Sequence, residues 1–340
     1  MSGLLATLRG RMALALLPLS VLPMVAVAPT IVRSHERFQR EHAMGPLPAP
    51  DVALSAAETA RFRALPARPG AVPVLVWHGI DDANDGYSTT QRAFARQIAL
   101  LRRLGYTAIG TRQWAAFRAG RGAGLPARPI LLTFDDGRLD SYRGADRVLE
   151  RAGMRAAIFV ITGQIERRSP FYLTWRELHR MVGSGRWDVE PHAHDGHREI
   201  TIAPDGRQAG FYAARSFTRS RGRETPAAWE ARVAGDLFTL RERFAAQGLA
   251  PHAFAVPYGD YGQRGDDPAI ARLLSGLLTR QFGSFLVQSD DDDPDFTVPR
   301  TGAAQRFELR TGTTLDQLYG WLRKHSAPAA ARHHDRKTKG

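Results

Sequence analysis

Two adjacent carboxylates stand at the end of a short apolar run. Asp135 and Asp136 follow residues 129–134 and precede Gly137. Such a run is typical of a buried strand in an α/β sheet, and ligands gather beyond the carboxyl ends of these strands. Neighbouring acids at a strand end point in different directions, so one could hold a metal ion while the other moves a proton. A solvated Asp-Asp-Gly turn accounts for the same residues, and this stretch alone leaves both interpretations open.

Three histidines, His192, His194 and His197, lie close together at the end of another predicted strand. Asp195 and Gly196 allow the chain to turn between His192 and His197, which would let these two side chains converge on one ion. Histidine together with carboxylate is a ligand set suited to zinc or a similar divalent cation. On this stretch alone, a solvent-exposed polar loop stays open as the alternative.

Alternating strand and helix patterns must position these groups. Strand-like apolar runs alternate with segments of helical spacing, and this rhythm predicts an α/β protein with a parallel sheet or barrel. Residues 198–226 are rich in Gly and Arg and are predicted to be a surface loop. Residues 227–247 predict an amphipathic helix. We expect the apolar face of that helix to lie in the core, namely Trp229, Val233, Leu237, Leu240 and Phe244.

Composition narrows the class of protein. A chain of 340 residues could form one large α/β domain or two ordinary ones. The formal net charge of +13 would suit an anionic surface or polymer. No aromatic-interleaved basic motif or zinc-finger spacing accompanies that charge, so we expect no nucleic-acid partner. Cysteine is absent from the sequence, which excludes disulfides, thiol catalysis and Cys-ligated zinc.

The first 32 residues predict an N-terminal signal anchor or signal peptide. Arg9 and Arg11 precede an apolar segment that is close to the length needed to span a bilayer. Pro29 directly follows a small-residue site at 26–28, so we favour an uncleaved anchor with the rest of the chain outside the membrane. Residues 33–70 are predicted to be a linker with one short helix, and residues 323–340 a basic, disordered tail.

Three features now follow one another at successive strand ends: residues 133–137, residues 192–197 and residues 256–259. In this order they resemble the polysaccharide deacetylase family, the carbohydrate esterases with a NodB-type domain. The resemblance assigns residues 71–322 to the catalytic domain. It also implies that the fold is a distorted (β/α) barrel whose metal lies at the carboxyl ends of the strands.

The spacing of the histidine pair narrows the resemblance. Four residues separate His192 from His197, which is similar to the branch that deacetylates poly-β-1,6-N-acetylglucosamine exopolysaccharide. The stretches 76–79 and 222–225 are further similarities to that branch. We therefore expect a biofilm-type exopolysaccharide as the substrate.

The resemblance implies roles for five residues. Asp136, His192 and His197 would bind a divalent metal, with zinc preferred and cobalt or nickel as alternatives. Asp135 would be the general base. The backbone amide of Tyr258 would help to hold the oxyanion.

Three further residues, His78, Pro257 and His194, would line the site.

Two parts of the family pattern are missing from the sequence. The late Leu-x-His that supplies the general acid is absent, and the nearest candidate, His325, fits a solvated tail residue better. The arginine that precedes the third motif and orients the base is also absent, because residues 254–256 are Phe-Ala-Val.

The expected function is hydrolysis of N-acetyl groups on a β-linked N-acetylglucosamine polymer, with release of acetate. A chitin-like or peptidoglycan substrate is the first alternative. The second is an inactive, membrane-tethered protein that binds polysaccharide or assists a synthase. A glycoside hydrolase is disfavoured because its two acids must flank a bond about 5–10 Å apart, which adjacent residues do not. We expect the catalytic domain to be extracytoplasmic, either anchored in the membrane or secreted.

Overall fold

The computed structural model of this chain describes residues 30, 32–40, 42, 43 and 47, residues 50–288 apart from 69, 84 and 266, and residues 302–326. The side chain of His325 lies outside this description, as do residues 1–29, the run Asp290–Asp293 and residues 327–340. The predicted signal anchor and most of the predicted tail therefore fall outside the described residues. Within those residues, no helix is both long enough and apolar enough to span a bilayer.

The chain divides into two compact units, Met1–Pro46 and Leu47–Gly340. In the first unit the described residues from 32 to 40 are helical. All elements named below belong to the second unit.

Short strands alternate with helices along the second unit. The described strands are β1 Val74–Trp77, β2 Thr107–Ala108, β3 Pro129–Phe134, β4 Ala156–Ile161, β5 Trp187–Ala193, β6 Glu199–Thr201, β7 Gln208–Gly210, β8 Phe217–Thr218, β9 Gly222–Arg223, β10 Phe254–Ala255, β11 Ser284–Val287, β12 Gly302–Gln305 and β13 Phe307–Glu308. The described helices are α1 Ala56–Arg61, α2 Gln91–Arg103, α3 Thr111–Arg118, α4 Leu139–Ala152, α5 Thr162–Glu166, α6 Trp175–Gly183, α7 Pro226–Ala246, α8 Pro268–Phe282 and α9 Leu315–Ser326, with a 3₁₀ turn at Pro257–Gly259.

Two parallel sheets form the barrel wall. The larger sheet has the order β13-β1-β3-β4-β5, with β2 also paired to β3, and the smaller has the order β10-β11-β12. Arg306 alone separates β12 from β13, so the chain passes directly from one sheet into the other. Strands β1, β3, β4, β5, β10 and β11 are almost wholly buried, as expected for a parallel sheet covered by helices. The fold is a distorted (β/α) barrel, which confirms the predicted fold class.

Side chains bridge the remaining seam of the barrel, between β5 and β10. Among the described residues no hydrogen-bonded ladder joins these two strands. Instead, Glu190 on β5 accepts hydrogen bonds from the backbone N–H groups of His252, at 2.8 Å, and Ala253, at 3.0 Å. Two residues further along β5, Nδ1 of His192 contacts the carbonyl oxygen of Ala255 at 2.8 Å. Barrel closure on this side therefore depends on two buried polar side chains.

The sequence predictions for the core are confirmed. The five apolar residues of α7 from Trp229 to Phe244 are all buried. The helix begins at the predicted place because Thr225 caps it and Pro226 occupies its first turn.

The prediction that residues 198–226 form a surface loop was wrong. It contains two antiparallel hairpins, β6–β7 and β8–β9. The second hairpin is tied to α7 because the Arg232 guanidinium donates to both carboxylate oxygens of Glu224 and to the carbonyl of Phe211.

The predicted linker and tail boundaries also need correction. The short helix expected in the linker is present as α1, and Phe62 after it is buried. Its ring lies 5.2 Å from that of Tyr319, whose hydroxyl donates to the carbonyl of Arg63. This end of the linker is thus packed against α9. That helix continues to Ser326, so the predicted domain end at residue 322 falls inside it.

We predict that Glu190→Ala lowers the free energy of unfolding by about 2–4 kcal/mol, because two buried N–H groups lose their acceptor. Urea unfolding measures the change. Glu242→Ala is the control, since Glu242 is exposed on α7 and its replacement should cost less than about 0.5 kcal/mol.

The effect of Glu190→Ala should depend on pH. Burial raises the pKa of Glu190 to about 8, so the folded protein holds this proton more tightly than the unfolded chain. The stability that Glu190 contributes is complete below the ordinary glutamate pKa and is lost as the pH rises through about 8. The difference between wild type and variant should therefore shrink across that range. A constant difference would contradict the assignment.

Candidate active site

The two aspartates leave β3 in different directions. Asp136 and Gly137 both have a left-handed backbone, with φ of +69° and +74°, which turns the chain sharply after Asp135. A Cβ on Gly137 would also lie only 3.0 Å from the Val160 side chain. Glycine is therefore favoured here both by the positive φ and by this close contact. As a result, the Asp135 carboxylate enters the barrel and the Asp136 carboxylate faces His192 and His197.

Asp135 is held by a buried arginine. The guanidinium of Arg306 donates from its two terminal nitrogens to the two carboxylate oxygens, at 2.7 and 2.6 Å. The Arg306 side chain is fully buried. Burial alone would raise the pKa of Asp135, but Arg306, together with His192, holds that pKa below its usual value. The carboxylate is therefore ionised and fixed in orientation.

Arg306 supplies the arginine that the sequence lacked before the third motif. It comes from the junction of β12 and β13, far along the chain from β3. A weak signal existed in the sequence: Arg306 and Glu308 alternate with Phe307 and Leu309, so two charged residues share one face of a short strand.

Asp136, His192 and His197 form a cluster whose ligand atoms all lie within 4.8 Å of one another. Nε2 of His192 and Nε2 of His197 approach the same Asp136 oxygen, Oδ1, at 3.6 and 3.3 Å. This buried oxygen has no hydrogen-bond partner among the described residues. The structure thus brings together the three residues predicted to bind a metal.

The donor set fits a divalent cation. The carbonyl of Ala255 can only accept, so Nδ1 of His192 carries the proton and Nε2 presents a lone pair towards Asp136. Burial lowers the pKa of His197, and the neighbouring His192 lowers it further, which favours the neutral ligand form. Although burial opposes it, His192 and His78 hold the pKa of Asp136 well below its usual range. A cation bound between Asp136, His192 and His197 would interact favourably with the ligand atoms of all three residues.

The loop between the two histidine ligands is held by one carboxylate from α7. Asp236 accepts hydrogen bonds from the backbone N–H groups of His194, at 3.0 Å, and Asp195, at 2.7 Å. The Tyr212 hydroxyl donates to the same carboxylate. A Cβ on Gly196 would lie 2.6 Å from the Tyr212 ring, so only glycine lets the loop pass this close. Asp236 therefore fixes the backbone that separates His192 from His197.

His194 does not belong to the cluster. Its Nδ1 lies 2.9 Å from the Thr162 hydroxyl, on the side of α5. Its predicted place among the residues that line the site stays a prediction.

The third motif forms a tight turn beside the cluster. Tyr258 has φ of +60°, and its ring lies 4.7 Å from the ring of His197. The hydrogen bonds of the turn run from Gly259 to Val256 and from Asp260 to Pro257, which does not use the N–H of Tyr258. The buried Pro257 begins the turn.

His78 follows β1 at the same end of the barrel. Its Nδ1 lies 3.2 Å from Oε1 of Glu308, close enough for an ion pair but without the alignment of a hydrogen bond. The other oxygen of Glu308 accepts from Arg310 at 2.6 Å. The charge of His78 lowers the pKa of both Asp135 and Asp136, so it is near both carboxylates. Sequence reasoning missed Glu308, which lies far from His78 along the chain.

Residues 122–267 match the polysaccharide deacetylase family. This confirms the resemblance found in the sequence. The distorted (β/α) barrel with its parallel sheet is the fold of this family's NodB-type domains.

Two named relatives match part of this chain. The chain is 25% identical over 207 residues to the poly-β-1,6-N-acetyl-D-glucosamine N-deacetylase of Escherichia coli strain K12, covering 55% of this chain and 30% of that protein. It is also 25% identical over 151 residues to the protein of the same name from Staphylococcus aureus strain MRSA252, covering 40% and 51%. The chain thus spans about a third to a half of these relatives.

Among solved structures, the fold is similar to that of a de-N-acetylase from Aggregatibacter actinomycetemcomitans. The TM-score is 0.63 at 17% identity, and the match covers 74% of this chain and 99% of that chain. This likeness concerns the fold alone.

We predict that Asp236→Ala weakens zinc binding about 10- to 100-fold, because the loop between His192 and His197 loses its support. Zinc competition with a chromophoric chelator measures the change in metal-free protein. Asp205→Ala is the matched control, since Asp205 is exposed in the turn between β6 and β7. Wild-type zinc affinity in Asp236→Ala would contradict a positioning role.

Proposed function

We propose that this domain removes N-acetyl groups from a β-1,6-linked N-acetylglucosamine polymer and releases acetate. The observation that carries the proposal is the division of labour between the two aspartates. Asp135 is a buried, ionised carboxylate fixed by Arg306, whereas Asp136 shares a cation-type cluster with His192 and His197. The names of the matched relatives support the polymer and its linkage.

Asp136, His192 and His197 would hold a divalent ion, with zinc preferred because its ligands are commonly nitrogen and carboxylate oxygen. Cobalt or nickel are alternatives. When bound there, such an ion polarises an acetyl carbonyl and brings the pKa of a water molecule towards neutrality.

Asp135 is the general base in this proposal. Because Arg306 keeps its pKa low, the carboxylate is free to accept a proton from the attacking water at neutral pH. The bidentate contact also fixes the carboxylate plane, so that the accepting oxygen does not need to reorganise. General-base catalysis of this kind contributes about 10²–10⁴-fold to the rate.

The N–H of Tyr258 is the proposed oxyanion donor. The left-handed turn leaves this N–H out of its own hydrogen bonds, and the ring of the same residue packs on His197. A fixed backbone donor stabilises charge that develops on the carbonyl oxygen in the transition state. The ring of Tyr258 covers His197 and so excludes water from one side of the cluster.

His78 is the proposed general acid, a role that the sequence left unassigned. An amine is a poor leaving group unless it is protonated as the C–N bond breaks. Oε1 of Glu308 faces Nδ1 of His78 at 3.2 Å, while Arg310 holds Glu308 in place. Nε2 would then donate the proton to the departing nitrogen. The His78 ring is only partly buried, so substrate can reach it.

The alternatives are weaker for specific reasons. An inactive binding protein would have no need of the buried Arg306–Asp135 pair, which is costly to desolvate. Adjacent carboxylates do not suit a glycoside hydrolase. Chitin-like and peptidoglycan substrates carry the same N-acetyl group, and they are compared directly in the assay below. An extracytoplasmic location, anchoring by residues 1–32 and association with a polysaccharide synthase complete the proposal.

The central test is acetate release by the purified protein. We predict release from β-1,6-N-acetylglucosamine oligomers that a chelator abolishes and added zinc restores. Asp135→Asn should lower kcat about 10²–10⁴-fold with zinc still bound, because it removes the base. Asp136→Ala should instead lose zinc, as measured by metal analysis. Chitin oligomers and peptidoglycan serve as comparison substrates. Zinc-loaded wild type that releases no acetate from any of them would exclude a deacetylase.

A leaving-group comparison tests His78. We predict that His78→Ala loses about 10²–10⁴-fold on the amide substrate, but far less on 4-nitrophenyl acetate, whose phenolate leaves without a proton. Asp135→Asn is the matched comparison and should lose activity on both substrates. Equal losses of amide and ester hydrolysis in His78→Ala would show that His78 is not the acid.

A further inference from the structure

Exposed aromatic rings gather around the proposed site. Among the described residues, four aromatic side chains are strongly exposed: Tyr87, Phe171, Phe238 and Tyr258. All except Phe238 have a direct link to the site. Tyr258 packs on His197, Tyr87 lies beside His78, and Phe171 contacts the turn that follows Asp136. Single exposed apolar residues are ordinary, but a group of them around one opening indicates a binding surface.

Tyr87 is held in place and supported on one face. Its ring lies 5.7 Å from the ring of His78. Its backbone N–H donates to Asp85 at 2.9 Å, which fixes the loop. The Arg310 guanidinium lies 5.0 Å from the ring centroid, and Arg310 is itself paired with Glu308. Tyr87 is nevertheless 48% exposed, so the ring is fixed while much of its surface faces solvent.

Phe171 is held in place in a similar way. Its carbonyl accepts from the N–H of Leu139 at 3.0 Å, and the N–H of Leu173 donates to Gly137 at 2.9 Å. These bonds fix the segment against the turn that carries Asp136. The Arg138 guanidinium lies 4.6 Å from the ring centroid, yet Phe171 remains 45% exposed.

One buried arginine fixes both rings relative to each other. Besides contacting Phe171, Arg138 donates to Ser88 at 3.0 Å and to Asp85 at 3.3 Å, in the loop that carries Tyr87. Its strongest contact, at 2.6 Å, is to Asp140. A Cβ on Gly79 would lie 2.4 Å from the Arg138 guanidinium, so glycine leaves room for this bridge. The bridge therefore holds the loop of Tyr87 in a fixed position relative to Phe171.

We propose that Tyr87 and Phe171 are sugar-binding subsites for the residues that flank the reacting unit of a glycan chain. This inference rests on the proposed function. A pyranose ring presents an apolar C–H face that packs on an aromatic ring, and a fixed ring loses little entropy when it binds. Tyr87, beside the proposed acid, and Phe171, joined to the Tyr87 loop by Arg138, then bind neighbouring sugars of the same chain. The enzyme accordingly prefers polymer to single sugars.

The test compares a β-1,6-N-acetylglucosamine pentamer with N-acetylglucosamine, using the full chain. Two quantities are measured: the ratio of kcat/KM for the two substrates, and the Kd for the pentamer by calorimetry. Tyr87→Ala and Phe171→Ala should each lower the ratio and raise the Kd about 10-fold, which is the usual size of a lost aromatic anchor. Tyr87→Phe and Phe171→Tyr keep the ring and should restore both values. Phe238→Ala, which removes the 65% exposed ring on α7, should change neither.

The outcomes separate this inference from the proposed function. Pentamer binding that depends on Tyr87 and Phe171, without acetate release, would support the subsites and contradict the deacetylase. Acetate release with the same pentamer ratio and Kd in both alanine variants would support the deacetylase and overturn the subsites. A wild-type protein that does not bind the pentamer would also overturn them.

Discussion

The buried pair of Asp135 and Arg306 is the interaction on which the rest of the site depends. Two charges removed from water are costly unless their geometry is good, and here a guanidinium fork meets both carboxylate oxygens. The same contact joins β3 to the β12–β13 junction, where the chain passes from the small sheet into the large one. One contact therefore both fixes the Asp135 carboxylate and ties β3 to the point where the two sheets meet.

Around this pair, the structure gives neighbouring acids different environments. Asp135 faces the permanent cation of Arg306 inside the barrel, whereas Asp136, after a left-handed turn, lies in a cluster with His192 and His197 that could hold a metal ion. Both aspartates follow the end of β3, and the left-handed backbone at Asp136 turns the second carboxylate away from the first. The family match of residues 122–267 agrees with this arrangement.

Single buried polar side chains, rather than long apolar contacts, hold the loops at this end of the barrel. Asp236 captures two consecutive amides between the histidine ligands, and Arg138 bridges the loops of Tyr87 and Phe171. Hydrogen bonds to charged groups in a low dielectric are strong and directional, which suits loops that must hold catalytic groups in place. Glu190, whose pKa is raised to about 8, holds two consecutive amides at the barrel seam as a buried, uncharged acceptor.

The sequence by itself indicated the parallel α/β architecture, the strand ends and the grouping of Asp136, His192 and His197, because buried strands and adjacent chemical groups leave local patterns. Only the tertiary structure decided which groups complete the site. Arg306, Glu308 and Asp236 lie far along the chain from the residues that they hold, and a charged residue on a two-residue strand or a long helix has no periodicity that names its partner. The barrel supplies that information, since it brings the carboxyl ends of distant strands to one opening.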